Sequence, residues 1–554
     1  MPVDIFDVCV IGTGAGGGVM LKELTAAGMS VVALERGPHL STSQFTDDEL
    51  ATMWRDTLFS PEQVETYRLE EGAASETGRF NSIAHCVGGT MTHWAAWSRR
   101  FRPDEFKVLS TEGPLEDASL ADWPIGYDEL EPYYEKAEWE FGVAGNAGAN
   151  PFEGARKKAY PNPPHPPKVS SESVARGARK LGYTPFPTPM AINSQPYGGR
   201  PKCMYGGACQ QFGCPIHAKA TPFSILIPQA LATKKLDLRP DAMVFDVPVG
   251  KDGRVLGARY LDGAGNTHEV RARHVIVAGG AIGSPHLLRL ATSGLFPKGL
   301  ANGSDQVGRH LTFHVHNLVQ YLTDETSMHW TGLESHAAID DLHPSDAKRG
   351  FIRGGVVGEI NFGCKLPIAH GLGGVGFPDL ERQWGAGFKD YLRTFPRVVG
   401  IASILEDLPM ASNTIDLDPE VKDKHGLAVP RITHRQHPND IAMLAWYDAR
   451  MREVAEAAGG KQIWAPVVPH LTNLSEDVGM KGAGAHFHGT CRMGDDPDAS
   501  VVDKWCRAHE VPNLWVVDGS VFPTSGGYNP TLTILANAYR VADHFVAEAK
   551  RQKL

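Results

Sequence analysis

Residues Asp7 to Ile11 form a short apolar run, DVCVI, that leads into Gly12-Thr13-Gly14-Ala15-Gly16-Gly17 and then into a helix-periodic stretch from Val19 to Ala27. Strand, tight turn and helix in that order commit the start of the chain to a βα unit of a parallel sheet. Gly12 permits the sharp turn, Gly14 lets the backbone approach a pyrophosphate, and Gly17 lets helix and strand pack closely. Free amides at the helix start attract the anion. A second apolar run, Ser30 to Leu34, ends in Glu35, about 20 residues beyond the turn, where a carboxylate bonds ribose hydroxyls. Glycine makes up 60 of the 554 residues, so the glycine pattern alone would carry little. Strand, helix, spacing and acid together predict a dinucleotide-binding domain.

A chain of this length exceeds a single small core, so two domains are expected. A net charge of -10 gives no electrostatic case for nucleic acid or an anionic membrane and points to a small-molecule partner. No run of about 18 apolar residues is present to span a bilayer. The chain begins almost at its first strand, so no export signal of its own is expected. Eight cysteines are too few for a disulfide scaffold. Cys9, Cys86, Cys364, Cys491 and Cys506 are scattered and read as small buried hydrophobes. The remaining three are clustered.

Further motifs follow along the chain. Cys86-Val87-Gly88-Gly89-Thr90-Met91-Thr92-His93-Trp94 is a second glycine turn, and Asp122-Trp123-Pro124-Ile125 precedes Tyr127 and Tyr133-Tyr134. His274 to Gly280 (HVIVAGG) reads as a buried strand. Residues 144 to 168, with PNPPHPP at 161 to 167, read as an extended connector. Near the carboxyl end stands His486-Phe487-His488-Gly489-Thr490, then a strand from Leu514 to Val517 delivering Asp518, then Asn529 and a helix-like run to Phe545.

These pieces in this order resemble the glucose-methanol-choline (GMC) family of flavoprotein oxidoreductases, over about two-thirds of the chain by motif reading. The resemblance implies an α/β fold with a Rossmann-like FAD-binding domain and a substrate domain built on an antiparallel sheet covered by helices. The FAD domain is expected to be discontinuous, from residues 1–115, 200–315 and 478–554, with 116–199 and 316–477 forming the substrate domain. Likeness fades between about 318 and 475, which fits a substrate-shaping segment.

Oxidising an alcohol with a flavin needs a base for the hydroxyl proton, and histidine suits that task, with an ordinary pKa of about 6.5. The resemblance assigns the base to His486 and a second hydroxyl contact to Asn529. His488 is the rival; in an extended segment it turns to the opposite face and serves as a hydrogen-bonding structural residue. The resemblance also places Gly88, Gly89, Val244 and Asp518 around the FAD, Asp518 doubling as a helix cap. His93 is either bonded covalently to the flavin or packed against it. Trp94 and Trp97 either stack on a sugar face or fill the core.

Cys203, Cys209 and Cys214 fall within twelve residues, separated by small residues. Such spacing suits a thiophilic metal or an iron-sulfur cluster, with His217 the nearest fourth ligand for zinc. A turn without any cluster also resembles Gly213-Cys214-Pro215. Cysteine-rich insertions in bacterial gluconate, fructose and glucose dehydrogenases of the family imply a 3Fe-4S cluster relaying electrons to a cytochrome c. They also imply a small export-signal subunit that carries this chain to the periplasm. The implied activity is oxidation of a sugar or glycoside hydroxyl, with C3 of a glucoside favoured. The alternatives are a self-contained cytoplasmic oxidase using dioxygen, and a flavin-bearing protein without redox turnover.

Overall fold

A computed structural model describes residues 5–46, 48, 63–78, 83–206, 209, 212–360, 384–465 and 486–552. Cys364 lies outside them, as do Gly207, Ala208, Gln210 and Gln211 of the cysteine loop. No described helix is long and apolar enough to cross a membrane.

The amino-terminal apolar run is the strand Ile5–Ile11, which pairs in parallel with Val31–Leu34 on one side and Thr267–Val277 on the other. Parallel strands buried on both faces should read as continuous apolar runs, and Val8, Cys9, Val10 and Val31 to Ala33 are all fully buried. Leu236–Arg239 extends the sheet in parallel beyond Val31–Leu34. Thr267–Val277 is long enough to serve two further neighbours. Its first half pairs antiparallel with Gly257–Leu261, itself next to Met243–Asp246, and its last residues pair in parallel with Leu514–Val516. This seven-stranded sheet therefore draws on both ends and the middle of the chain. The helix Ala15–Ala26 and the carboxyl-terminal helix Thr531–Gln552 pack on each other against it.

The second sheet has six strands, all antiparallel, in the order Lys461–Trp464, Val315–Leu322, Val398–Leu405, Gly355–Ile360, Ala337–Ile339, Phe186–Pro187. The helices Val169–Lys180 and Pro438–Ala457 cover one face, where Val319, Tyr321, Val399 and Ile401 meet Val174, Met443, Tyr447 and Met451. Side chains alternate along a strand. His316, Leu318, Ala402 and Ile404 accordingly take the other face and line a cavity. A small third sheet joins Glu65–Arg68 and Glu76–Gly78 to Thr414–Lys422 and Ala428–Thr433. Residues 65–78, grouped by sequence with the dinucleotide domain, thus share a sheet with residues grouped with the other domain.

Candidate functional site

At the amino-terminal turn the three glycines have separable duties. Gly12 takes φ +99°, and a Cβ there would lie 2.4 Å from the Ala278 carbonyl oxygen. A Cβ on Gly17 would lie 2.0 Å from the Gly12 carbonyl oxygen, so that glycine closes helix onto strand. A Cβ on Gly14 would meet only the Gly89 Cα, at 3.9 Å, and otherwise points to open space along the cavity. The second glycine turn abuts the first. Gly88 N donates to Thr13 Oγ1 at 3.0 Å, and a Cβ on Gly89 would come within 2.7 Å of the Gly14 Cα. Glu35 accepts from Thr13 Oγ1 at 2.6 Å and from the amides of Thr13 and Gly37, and lines the same cavity. Burial raises its carboxyl above the ordinary value, against these hydrogen bonds.

The cavity, about 670 Å³, runs from Glu35, Met243 and Val244 past Gly12 to Gly16, Gly89 to His93 and Gly279-Gly280 to His486, Phe487 and Asn529. Asp518 stands along it, just after the strand Leu514–Val516. It accepts from Gly280 N (2.9 Å), Ser284 Oγ (2.6 Å) and Ser520 N (2.8 Å), so it ties two loops together and caps the turn Gly519–Val521. A narrow passage floored by glycine backbone, with a helix amino terminus on its wall and a carboxylate at one end, fits an extended dinucleotide such as FAD. Trp94 and Trp97 also line it.

The reacting end is assembled from four distant stretches. Thr312 and His488 exchange backbone hydrogen bonds, which sets His314 opposite His486. His486, at φ +66°, has its Nδ1 2.9 Å from His314 Nδ1 and its Nε2 3.3 Å from Asn529 Nδ2. Asn529 sits just before the helix Thr531–Gln552, and its Oδ1 accepts from the buried Arg99 Nη1 at 3.1 Å. His316 lies with its ring centroid 5.8 Å from that of His486, and its Nδ1 donates to the Ser403 carbonyl oxygen at 3.3 Å. Burial, then the neighbouring imidazoles of His314, His316 and His488, holds His486 well below the ordinary imidazole value. Its ring is uncharged and faces the cavity. His488 turns away, stacked on Phe522 at 5.5 Å, with no hydrogen-bond partner for either ring nitrogen among the described residues. The expected hydrogen-bonding role for His488 is thus replaced by packing.

His314, His316 and Arg99 are absent from the residues singled out by sequence. The only local signal is the pair His314 and His316, two residues apart, the first just before the strand Val315–Leu322 and the second on it.

The cysteine loop departs from expectation. Among the described residues no three His, Cys, Asp or Glu side chains form a group able to hold a metal, Cys203, Cys209 and Cys214 included. Each arm is anchored separately. Cys203 N donates to the Asn193 carbonyl, and Cys209 N donates to Glu334 Oε1 at 3.2 Å. His217, the fourth-ligand candidate, is instead 3.0 Å from Thr42 Oγ1. Burial pushes the Cys203 and Cys209 thiols up. What the loop does have is a tether. The buried Lys219 Nζ donates to the carbonyls of Cys209 and Phe212, both at 2.7 Å, and of Trp94 at 2.9 Å, lacing the loop to the second glycine turn. The scattered cysteines Cys9, Cys86, Cys491 and Cys506 are free and buried.

Two family models, both described as GMC oxidoreductase, match residues 118–316 and 409–538. The chain is 32% identical to the 2-methyl-1,2-propanediol dehydrogenase of Mycolicibacterium austroafricanum, over 98% of this chain and 95% of that one. It is 29% identical to the fructose dehydrogenase large subunit of Gluconobacter japonicus, over 98% of both. Among solved structures, pyridoxine 4-oxidase from Mesorbium loti superposes with a TM-score of 0.67 at 18% identity, over 98% of this chain and 99% of that one.

Proposed function

Because the chain belongs to the GMC oxidoreductase family, we propose that it is an FAD-dependent dehydrogenase that oxidises a sugar or polyol hydroxyl to a carbonyl. His486 is the base that takes the hydroxyl proton. The observation that carries this reading is the placement of His486 Nε2 beside Asn529 Nδ2, at 3.3 Å, at one end of a cavity whose other parts suit a dinucleotide.

Gly12, Gly14 and Gly89 would cradle the pyrophosphate of FAD, with Gly17 closing its helix onto the first strand and Gly88 joining the two turns; Glu35 and Val244 would flank the adenosine end, Asp518 would lie near the pyrophosphate and ribityl chain, and His93 would flank the flavin. Bound FAD supplies the acceptor for the electron pair of the C–H bond. The protein's own task is proton chemistry. Asn529, its amide orientation fixed by Arg99, donates to the substrate oxygen and so holds the hydroxyl against His486. His486, uncharged in its buried setting, accepts the proton. His316 adds a second acceptor. Its Nδ1 is spent on the Ser403 carbonyl, so Nε2 carries the lone pair beside the base, where it suits a hydroxyl neighbouring the one oxidised. That favours sugars and polyols over simple alcohols.

The finer reading is oxidation at C3 of a glucoside, with electrons leaving through a 3Fe-4S cluster on Cys203, Cys209 and Cys214 to a cytochrome c. In that reading a small signal-bearing subunit takes the chain to the periplasm. Its support is the spacing of the three cysteines, the tether from Cys209 to the Trp94 turn, and the likeness to a dehydrogenase large subunit. The thiols as they stand form no ligand set, and the proton steps above need none of them.

Anaerobic titration of the FAD-loaded protein with glucosides, free sugars, diols and monohydric alcohols tests the proposal. Bleaching of the flavin absorbance by polyhydroxylated compounds, with a keto sugar as product, is expected. Bleaching by monohydric alcohols alone would sink it. Iron content near zero in anaerobically purified protein removes the cluster, and rapid peroxide formation in air replaces the cytochrome with dioxygen.

A further inference from the structure

Resting on His486 as the base, we propose that His314 is a positioning residue that fixes the tautomer of His486, so that the Nε2 lone pair faces the substrate. His314 Nε2 is 2.6 Å from the Gly526 carbonyl oxygen and 3.2 Å from that of Ser525. Carbonyl oxygens only accept, so this nitrogen carries a proton. His314 is buried, and burial holds its pKa down to about 3, so the ring is neutral and Nδ1 bears a lone pair. That lone pair lies 2.9 Å from His486 Nδ1. Two lone pairs at this distance repel, so His486 Nδ1 is the protonated nitrogen and donates to His314. Neutral His486 then keeps its lone pair on Nε2.

The other side of the ring agrees. The nearest group to Nε2 is the donor Nδ2 of Asn529, whose amide cannot turn over because Oδ1 already accepts from Arg99. The opposite tautomer would set lone pair against lone pair at Nδ1 and N–H against N–H at Nε2. Gly526 and Asn529 belong to one short loop, so a single stretch of backbone fixes both partners of the base. When the substrate O–H bond breaks, its proton forms the Nε2–H bond. The imidazolium so formed already donates from Nδ1 to His314, which needs no change of its own. The C–H hydrogen leaves with its bonding electron pair, as a hydride that bound FAD would accept.

The test uses the full-length, FAD-loaded protein. His314→Leu keeps the bulk and removes the acceptor; it is expected to lower kcat about a hundred-fold, the scale of a misplaced general base, with KM within about two-fold. His314→Asn, whose Oδ1 replaces the accepting Nδ1, is expected to recover at least about ten-fold of that. A His314→Leu enzyme within about three-fold of wild type, or an Asn variant no better than Leu, overturns the inference. Should the variants not fold, long-range proton–nitrogen spectra of histidine-labelled wild-type protein read the tautomers without any turnover. Protons on His486 Nδ1 and His314 Nε2 are expected, and a proton on His486 Nε2 contradicts the inference. The control is His486→Ala. If that variant still reduces its flavin with substrate, the base reading fails and takes this inference with it. If it is dead while His314→Leu is unimpaired, the inference alone fails.

Discussion

Burial decides the proton affinity of His486. Desolvation disfavours the imidazolium, and three neighbouring histidines disfavour it further, so the neutral form persists to lower pH than for an exposed ring. Activity should be lost only as pH falls through that lowered value. Anaerobic flavin reduction by substrate is therefore expected to stay flat through the ordinary imidazole value of about 6.5. An acid limb centred there or above would contradict the assignment. His486 was legible because it sits in a local string, His486 to Thr490, that can be compared with known strings. Asn529 was legible with it, but His314 and Arg99 were not. His314 is 172 residues away and Arg99 is 430 residues from Asn529, and a contact made only by folding leaves no mark on either segment.

Between the two glycine turns the roles of Gly14 and Gly17 can be separated by experiment. Gly17→Ala puts a Cβ 2.0 Å from a backbone oxygen that cannot move without breaking the βα unit, and is expected to yield little folded protein. Gly14→Ala meets ordinary van der Waals contact and points into the cavity, so it is expected to fold with unchanged circular dichroism but to purify without FAD. Equal FAD content in Gly14→Ala and wild type would refute the cradle. The strand, turn and helix were readable because their periodicity is local; the helix begins at Ala15, earlier than the apolar stretch from Val19 suggested, because four small residues pack closely there without any large apolar side chain. The cysteine loop shows the converse. Its anchors are non-local: Cys203 N bonds the Asn193 carbonyl, Cys209 N bonds Glu334 and His217 meets Thr42, contacts that the cysteine spacing does not announce. Lys219→Met removes the three-carbonyl tether while keeping the apolar stem. It is expected to loosen the Trp94 turn, read as faster FAD loss on dilution; an unchanged FAD off-rate would show the tether to be idle.

Across the molecule, a buried ionic cluster ties the amino-terminal segment to the second sheet. Arg353, next to the strand Gly355–Ile360, bonds Glu406 Oε2 at 2.7 Å and Glu105 Oε2 at 2.5 Å, and Glu105 also contacts His343 Nε2 at 2.7 Å. Glu105 thereby joins the first hundred or so residues to the second sheet. Arg353 and His343 hold Glu105 low, whereas burial and the nearby Glu105 push Glu406 up. Removing the shared cation strands two carboxylates without water. Arg353→Ala is expected to cost about 3–5 kcal/mol in urea unfolding, and a loss below about 1 kcal/mol would contradict a structural role for the cluster. Pattern could not reveal it, since buried charges look like surface charges in a sequence.

The central claim, that His486 accepts the proton while FAD takes the electron pair, is tested most directly by mixing FAD-loaded His486→Ala with a sugar that bleaches the wild-type flavin, without oxygen. Yellow, FAD-bound protein is expected, with reduction slower by at least about 100-fold. Reduction at a near wild-type rate would contradict it.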